Sequence, residues 1–164
     1  MTSPKIVFII PYRDREEQLH FFKRQIAYVL EDYDPSTYRI LYIHQCDQRS
    51  FNRGAMKNIG FLVTKELYPE TFKDITLVFH DVDTIANRKN YLEYETTKGN
   101  IKHFYGFDFA LGGIVAINAS DFEKINGFPN FWGWGYEDNA LQQRVEKHKL
   151  TIDRTQFHKL MDPK

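Results

Sequence analysis

Residues 5–15 read KIVFIIPYRDR, and the parsing of this stretch decides the fold. Lys5 to Ile10 is a short apolar run halted by Pro11, which predicts a buried strand. From Arg13 to Asp32 the period changes. Leu19, Phe22, Ile26, Val29 and Leu30 recur at three- and four-residue steps, the mark of one helix face. Asp34-Pro35-Ser36 is a turn, and RILYIH (39–44) is a second strand. Asn52 to Leu67 carries Ala55, Ile59, Leu62 and Val63 at helical spacing and ends before Tyr68-Pro69. ITLVF (75–79) is a third strand. The order β-α-β-α-β predicts an α/β fold with parallel strands joined by helical crossovers.

The second half is less regular. A short helix is expected over Asn87–Glu95, and an aromatic loop over Gly99–Leu111. GGIVAIN (112–118) reads as a strand. Ser120 is expected to cap a short helix ending near Gly127, with Glu123 placed for a capping box. Phe128 to Tyr136 is a loop rich in Pro, Gly and Trp. Glu137 to Lys149 is a helix with acids at its start and bases at its end, matching its dipole. With no repeat, low-complexity tract or linker, residues 1–164 read as a single domain.

The composition bounds the function. The 164 residues carry 22 basic and 22 acidic side chains, so no global field favours nucleic acid or an anionic membrane. An anionic ligand would need a local cluster of donors. Aromatic residues make up 16% of the chain, enough to stack on sugar or base faces as well as to fill a core. The single cysteine, Cys46, has no internal partner, which fits a reducing compartment. There is no apolar run of membrane-spanning length and no signal-peptide pattern at the start. A Gly-x-x-x-x-Gly-Lys-Ser/Thr phosphate loop is absent, which weakens any phosphoryl-transfer reading.

Four segments carry chemistry. His80-Asp81-Val82-Asp83 follows the third strand, where open α/β sheets place their ligand crevice. An Asp-x-Asp there offers oxygen ligands to a hard divalent cation and its diphosphate, although by itself it is also a common solvated turn. FPNFWGWGYEDN (128–139) alternates Trp132 and Trp134 with Gly133 and Gly135 and then supplies Glu137 and Asp138. Flat rings pack on sugar C–H faces, and a carboxylate beside a bound sugar can accept the proton of an attacking hydroxyl. The competing reading is two core tryptophans and two helix-capping acids. PYRDR (11–15) and FNR (51–53) place arginines at helix starts, where a diphosphate also meets the helix N-terminus. Singly, each arginine reads more simply as a surface residue. All four segments, however, fall at one edge of one sheet.

These residues resemble the β-1,4-galactosyltransferase family, the family-7 inverting transferases of GT-A (Rossmann-like) fold that use a UDP-sugar and Mn²⁺. The likeness runs through PYRDR (11–15), FNRGAMKNIGF (51–61), FHDVD (79–83), GG (112–113) and INGFPNFWGWGYED (125–138). It implies a mostly parallel central sheet flanked by helices and a UDP site lined by Pro11, Arg13, Arg15, Phe51 and Arg53. It further implies that Asp81 contacts the donor, Gly113 lies under the donor sugar, and Trp134 sits on a mobile loop touching donor and acceptor. Glu137 would hold donor hydroxyls and Asp138 would be the general base. Asp83 and His158 would be the metal ligands. The implied partners are a UDP-sugar donor and a carbohydrate or glycoconjugate acceptor, with no nucleic acid.

The chain departs from the family pattern at several positions. Thr155 stands where the family has a Met ligand, which shifts the expected metal from Mn²⁺ toward Mg²⁺. Asn139 replaces the carboxylate after the base, so the acceptor is expected to differ from N-acetylglucosamine. Ala110 replaces a large Tyr that gates the donor, leaving room for UDP-N-acetylgalactosamine or UDP-glucose instead of UDP-galactose. The family's lid, stem, anchor and disulfides have no counterpart. The expectation is therefore a cytoplasmic, minimal enzyme or one module of a larger polypeptide. A carbohydrate-binding module without catalysis is the alternative from another class.

Overall fold

The computed structural model describes residues 3–160. The first half follows the expected order: β1 (Ile6–Tyr12), α1 (Glu16–Val29), β2 (Tyr38–His44), α2 (Arg53–Leu67) and β3 (Thr76–His80). After them come β4 (Asn100–Gly106), β5 (Ile114–Asn118), α3 (Ala119–Lys124), α4 (Glu137–Lys147), β6 (Thr151–Asp153) and β7 (His158–Lys159). The seven strands form one sheet in the order β2-β1-β3-β5-β4-β6, with β7 also paired to β4. β1 is parallel to β2 and β3, and β4 is parallel to β6 and β7. Only β5 opposes its neighbours, β3 and β4.

Both faces of the sheet are covered, and β1 shows how. Val7 and Ile9 point to one side, where Phe61 of α2, Phe122 of α3, and Leu141 and Val145 of α4 pack on Leu77, Phe79 and Ile117. Ile6, Phe8 and Ile10 point to the other. There they meet Leu19, Phe22 and Ile26 of α1, together with Leu92 and Tyr94. The continuous apolar run at 6–10 follows from this two-sided burial, since neither face of the strand sees water. No helix among the described residues is long and apolar enough to cross a membrane.

Four expectations are corrected. The stripe of Ala55, Ile59, Leu62 and Val63 is not the buried face of α2: Ile59 and Leu62 are exposed, and Met56, Gly60, Phe61 and Thr64 pack inward instead. Residues 87–95 form no helix; Asn90 sits at φ 54°, a left-handed turn conformation that breaks helical continuity. Residues 99–111 are not all loop, because β4 occupies 100–106. Its register shifts between His103 and Tyr105, and that irregularity obscures a period-two pattern. The cap of α3 is Asn118, whose side chain accepts from the Ser120 N–H at 3.0 Å, while Glu123 pairs with Lys65 instead of closing a capping box.

Chain order places the site. From β1 the chain builds β2 on one side and β3 on the other, so the topological switch lies between β1 and β3. The C-terminal ends of these strands face a common crevice. Helix α2 reaches this edge because Gly60 lets it lie against β1. A Cβ on Gly60 would come within 2.4 Å of Ile9 Cγ2. Gly60→Ala is therefore expected to destabilise the fold by about 1–3 kcal/mol through overpacking, read as a lower urea midpoint at unchanged slope.

Candidate active site

Beyond the ends of β1, β3 and β4 lies an open cleft of about 850 Å³. Of the residues singled out in the sequence, Pro11, Arg13, Arg15, Phe51, Arg53, Asp81, Asp83, Gly113, Trp134, Glu137 and Asp138 all line it, and His158 does not. The structure thus gathers segments from five separate parts of the chain. Ala110, Gly112 and Asn139 line it too, with Tyr105, Phe107 and Phe109.

Arg53 is the hub. It opens α2, whose N-cap Asn52 accepts from the Ala55 N–H at 2.9 Å. Its guanidinium grips Asp81 with two hydrogen bonds, Nε to Oδ1 at 2.8 Å and Nη2 to Oδ2 at 2.7 Å. Nη1 donates to Glu137 Oε1 at 2.7 Å and to Asp138 Oδ2 at 2.8 Å. The two acids at the start of α4 therefore turn into the cleft, and the purely capping reading does not describe them. Burial opposes the charge on Arg53, but Asp81 and Asp138 outweigh it and hold the guanidinium firmly protonated. Burial would likewise raise Asp81, yet Arg53 and Lys57 together keep its carboxyl below the usual carboxylate range.

Glycines set the clearances. A Cβ on Gly112 would lie 2.3 Å from Asp138 Oδ2, and one on Gly113, at φ 66°, would lie 2.3 Å from the Tyr105 carbonyl. The Asp81 N–H donates to the Gly113 carbonyl at 3.0 Å, tying the end of β3 to the start of β5. On the rim, Gly133 and Gly135 have positive φ and Trp134 stands 97% exposed. Trp132 is not core either: it is half-exposed under the Arg49 guanidinium, 3.9 Å from its ring.

Among the cleft-lining residues, Arg13 Nη1, Glu137 Oε2 and Asp138 Oδ1 are buried without a hydrogen bond, although Asp47 Oδ1 lies 4.0 Å from Arg13 Nη1 and Lys57 Nζ lies 3.6 Å from Asp138 Oδ1. Guanidinium N–H suits a phosphate oxygen, and carboxylate oxygens suit sugar hydroxyls.

The fit to a divalent ion is narrower. Among the described residues no three His, Cys, Asp or Glu side chains gather as a metal cluster. Asp83 is exposed on the cleft wall. His158 stacks on Tyr91 at 5.1 Å and pairs in register with Tyr105, a cleft-wall residue. Thr155 is exposed, with its N–H on Asp153 at 2.9 Å. One carboxylate and one imidazole suit a hard-to-borderline ion that takes its remaining ligands from a diphosphate and water.

One residue escaped the sequence reading. Lys57, one helical turn after Arg53, is 1% exposed beneath the acids. Its i,i+4 relation to Arg53 on a helix was the available signal.

Comparison with known proteins agrees with this geometry. Residues 1–95 match the model described as the N-terminal region of glycosyl transferase group 7, and residues 92–162 match one described as the N-terminal domain of galactosyltransferase. The chain is 33% identical over 162 residues to β-1,4-galactosyltransferase 4 of Cricetulus griseus, covering 92% of this chain and 45% of that protein. It thus spans less than half of that curated relative. The catalytic domain of Drosophila β-1,4-galactosyltransferase 7, solved with xylobiose, superposes with a TM-score of 0.78 at 26% identity, covering 98% of this chain and 66% of the other. A mutant of that enzyme, solved with manganese, UDP-Gal and xylobiose, gives a TM-score of 0.78 at 25% identity over the same coverage.

Removing the hub should be costly in a pH-dependent way. Arg53→Met leaves three carboxylates without their main counter-charge, and the expected loss near neutral pH is about 3–5 kcal/mol by urea unfolding. The depressed Asp81 stabilises the wild type above the ordinary carboxylate range, and that contribution fades as pH falls through its folded value. In the variant, protonation relieves the stranded acids. The gap between the two proteins should therefore narrow toward about pH 4.

Proposed function

The chain belongs to glycosyl transferase group 7, the β-1,4-galactosyltransferase family, and from that premise we propose that it is a metal-dependent inverting glycosyltransferase. It moves a hexose, galactose or a relative, from a UDP-sugar to an acceptor sugar hydroxyl, with Asp138 as the general base. The observation that carries this reading is the meeting of Arg13, Arg15 and Arg53 with Asp83, Glu137 and Asp138 along one cleft, where the arginines suit a diphosphate and the carboxylates suit hydroxyls. The solved relative with manganese, UDP-Gal and xylobiose supports the ligand classes.

The reaction is a single displacement. Asp138 takes the proton of the acceptor hydroxyl as that oxygen forms its bond to the anomeric carbon. The bond from that carbon to the diphosphate breaks, and the configuration inverts. Arg13, Arg15 and Arg53, which line the cleft, receive the charge that develops on UDP. Glu137 holds donor hydroxyls, Gly113 leaves room beneath the sugar, and Phe51 and Pro11 wall the uridine. Trp134, exposed on its glycine-flanked loop, offers a ring to donor and acceptor. Asp83 with His158 would hold Mn²⁺ or Mg²⁺, which when bound supplies Lewis-acid neutralisation of the leaving diphosphate. Ala110, buried at the cleft, favours a second reading of the donor as UDP-N-acetylgalactosamine or UDP-glucose.

A panel of UDP-sugars with Mn²⁺ or Mg²⁺ should give metal-dependent UDP release for at least one donor. No release from any of them would remove the catalytic claim. Asp138→Asn should keep UDP-sugar affinity while transfer falls by about 10²–10⁴-fold; a pure carbohydrate binder would be indifferent to the change. Gly112→Ala should push the base aside and lower kcat by about 10²-fold with little change in donor affinity.

A further inference from the structure

Lys57 is a buried charged residue, 1% exposed, that the reaction leaves unused. Its Nζ lies 3.6 Å from Asp138 Oδ1 and 3.8 Å from Asp81 Oδ1, and 4.7 Å from the centre of the Phe128 ring. It does not line the cleft, so it meets no ligand and can act only through those carboxylates. A buried ammonium is expensive, and an apolar side chain of similar length would fill the same space at lower cost. Arg53, by contrast, lines the cleft and shares its guanidinium among Asp81, Glu137 and Asp138, so Lys57 is a second cation beside Asp138 that does not line the cleft.

Resting on the function proposed above, we propose that Lys57 is the positioning residue of the base: its buried ammonium, 3.6 Å from Oδ1, holds the Asp138 carboxylate in the orientation that meets the acceptor. The charged and titratable groups packed around Asp138 are Arg53 and Lys57 from α2, His80 and Asp81 from the end of β3, Glu137 from α4, and His103 from β4. Burial pushes both His80 and His103 down to about 4, so they stay neutral over the working range. Two cations therefore face three carboxylates, and removing Lys57 makes the pocket one charge more negative. Burial, with Arg53 beside it, pulls the Lys57 ammonium below its ordinary value, and Asp138, Asp81 and Glu137 oppose that pull.

Lys57→Met keeps the length and removes the charge. It should lower kcat by about tenfold or more and leave both KM values within about threefold. Lys57→Arg should recover much of the lost kcat. Wild-type kcat in folded Lys57→Met, or a loss carried wholly by KM, overturns the proposal. A thermal-midpoint cycle with Asp138→Asn needs no substrate. Lys57→Met should lower the midpoint markedly in the wild-type background and much less in the Asp138→Asn background. If Lys57→Met folds only when combined with Asp138→Asn, that is the same coupling in extreme form. Equal losses in both backgrounds, or failure to fold in both, refute it. Were the wild type inactive on every UDP-sugar, the functional reading would fall while this cycle would still decide the Lys57–Asp138 pairing.

Discussion

One planar cation organises this molecule. Arg53 sits at the start of a helix, where the helix dipole is itself positive and the first turn of α2 contains no acid. A positive end carrying an arginine must be answered by anions. The answer comes from two distant places in the chain: Asp81 at the end of β3, and Glu137 and Asp138 at the start of α4. A guanidinium presents its donors in a fixed fork, so three carboxylates meeting one arginine have little freedom in where they sit. Two close clearances follow. Gly54 lets the start of α2 approach the Pro129 carbonyl, and Gly112 lets Asp138 lie against the backbone.

The sheet topology delivers these parts to one edge. Six strands run in one direction and β5 runs against them. Reversal of that one strand is what brings its N-terminal end, with Gly112 and Gly113, to the edge where the other strands finish. An all-parallel arrangement would have put those glycines on the far side of the molecule. The edge therefore combines strand endings, a strand beginning and the beginnings of three helices, α1, α2 and α4, and the helix beginnings add their N–H groups to the arginines.

Much of this was legible in the sequence, for a physical reason. β1, α1 and β3 have clear patterns because each is buried regularly, the strands on both faces and the helix on one, whereas β2 is a partly buried edge strand and α2 buries Met56, Gly60, Phe61 and Thr64 while Ile59 and Leu62 stay exposed. Irregular burial hid the rest. β4 alternates imperfectly because its register shifts after His103, and β6 and β7 are too short to show a period. The arginines and acids of the cleft could be found because they flank regular elements at strand and helix ends. Lys57 could not be found by that rule, since a lysine in mid-helix ordinarily reads as solvent-facing. Its burial depends on acids 24 and more residues away in sequence. His158, recognised only by its place in the motif order, lies beside the cleft wall rather than on it.

The tryptophan loop has a spectroscopic consequence. The chain has only two tryptophans, Trp132 and Trp134, and both stand on the rim outside the core, which is packed with phenylalanine, tyrosine and aliphatic side chains. Indole emission from this protein therefore originates entirely from one short segment. A change in its intensity or colour reports the surroundings of that segment, and the molecule carries a built-in optical gauge of events at the mouth of its own cleft.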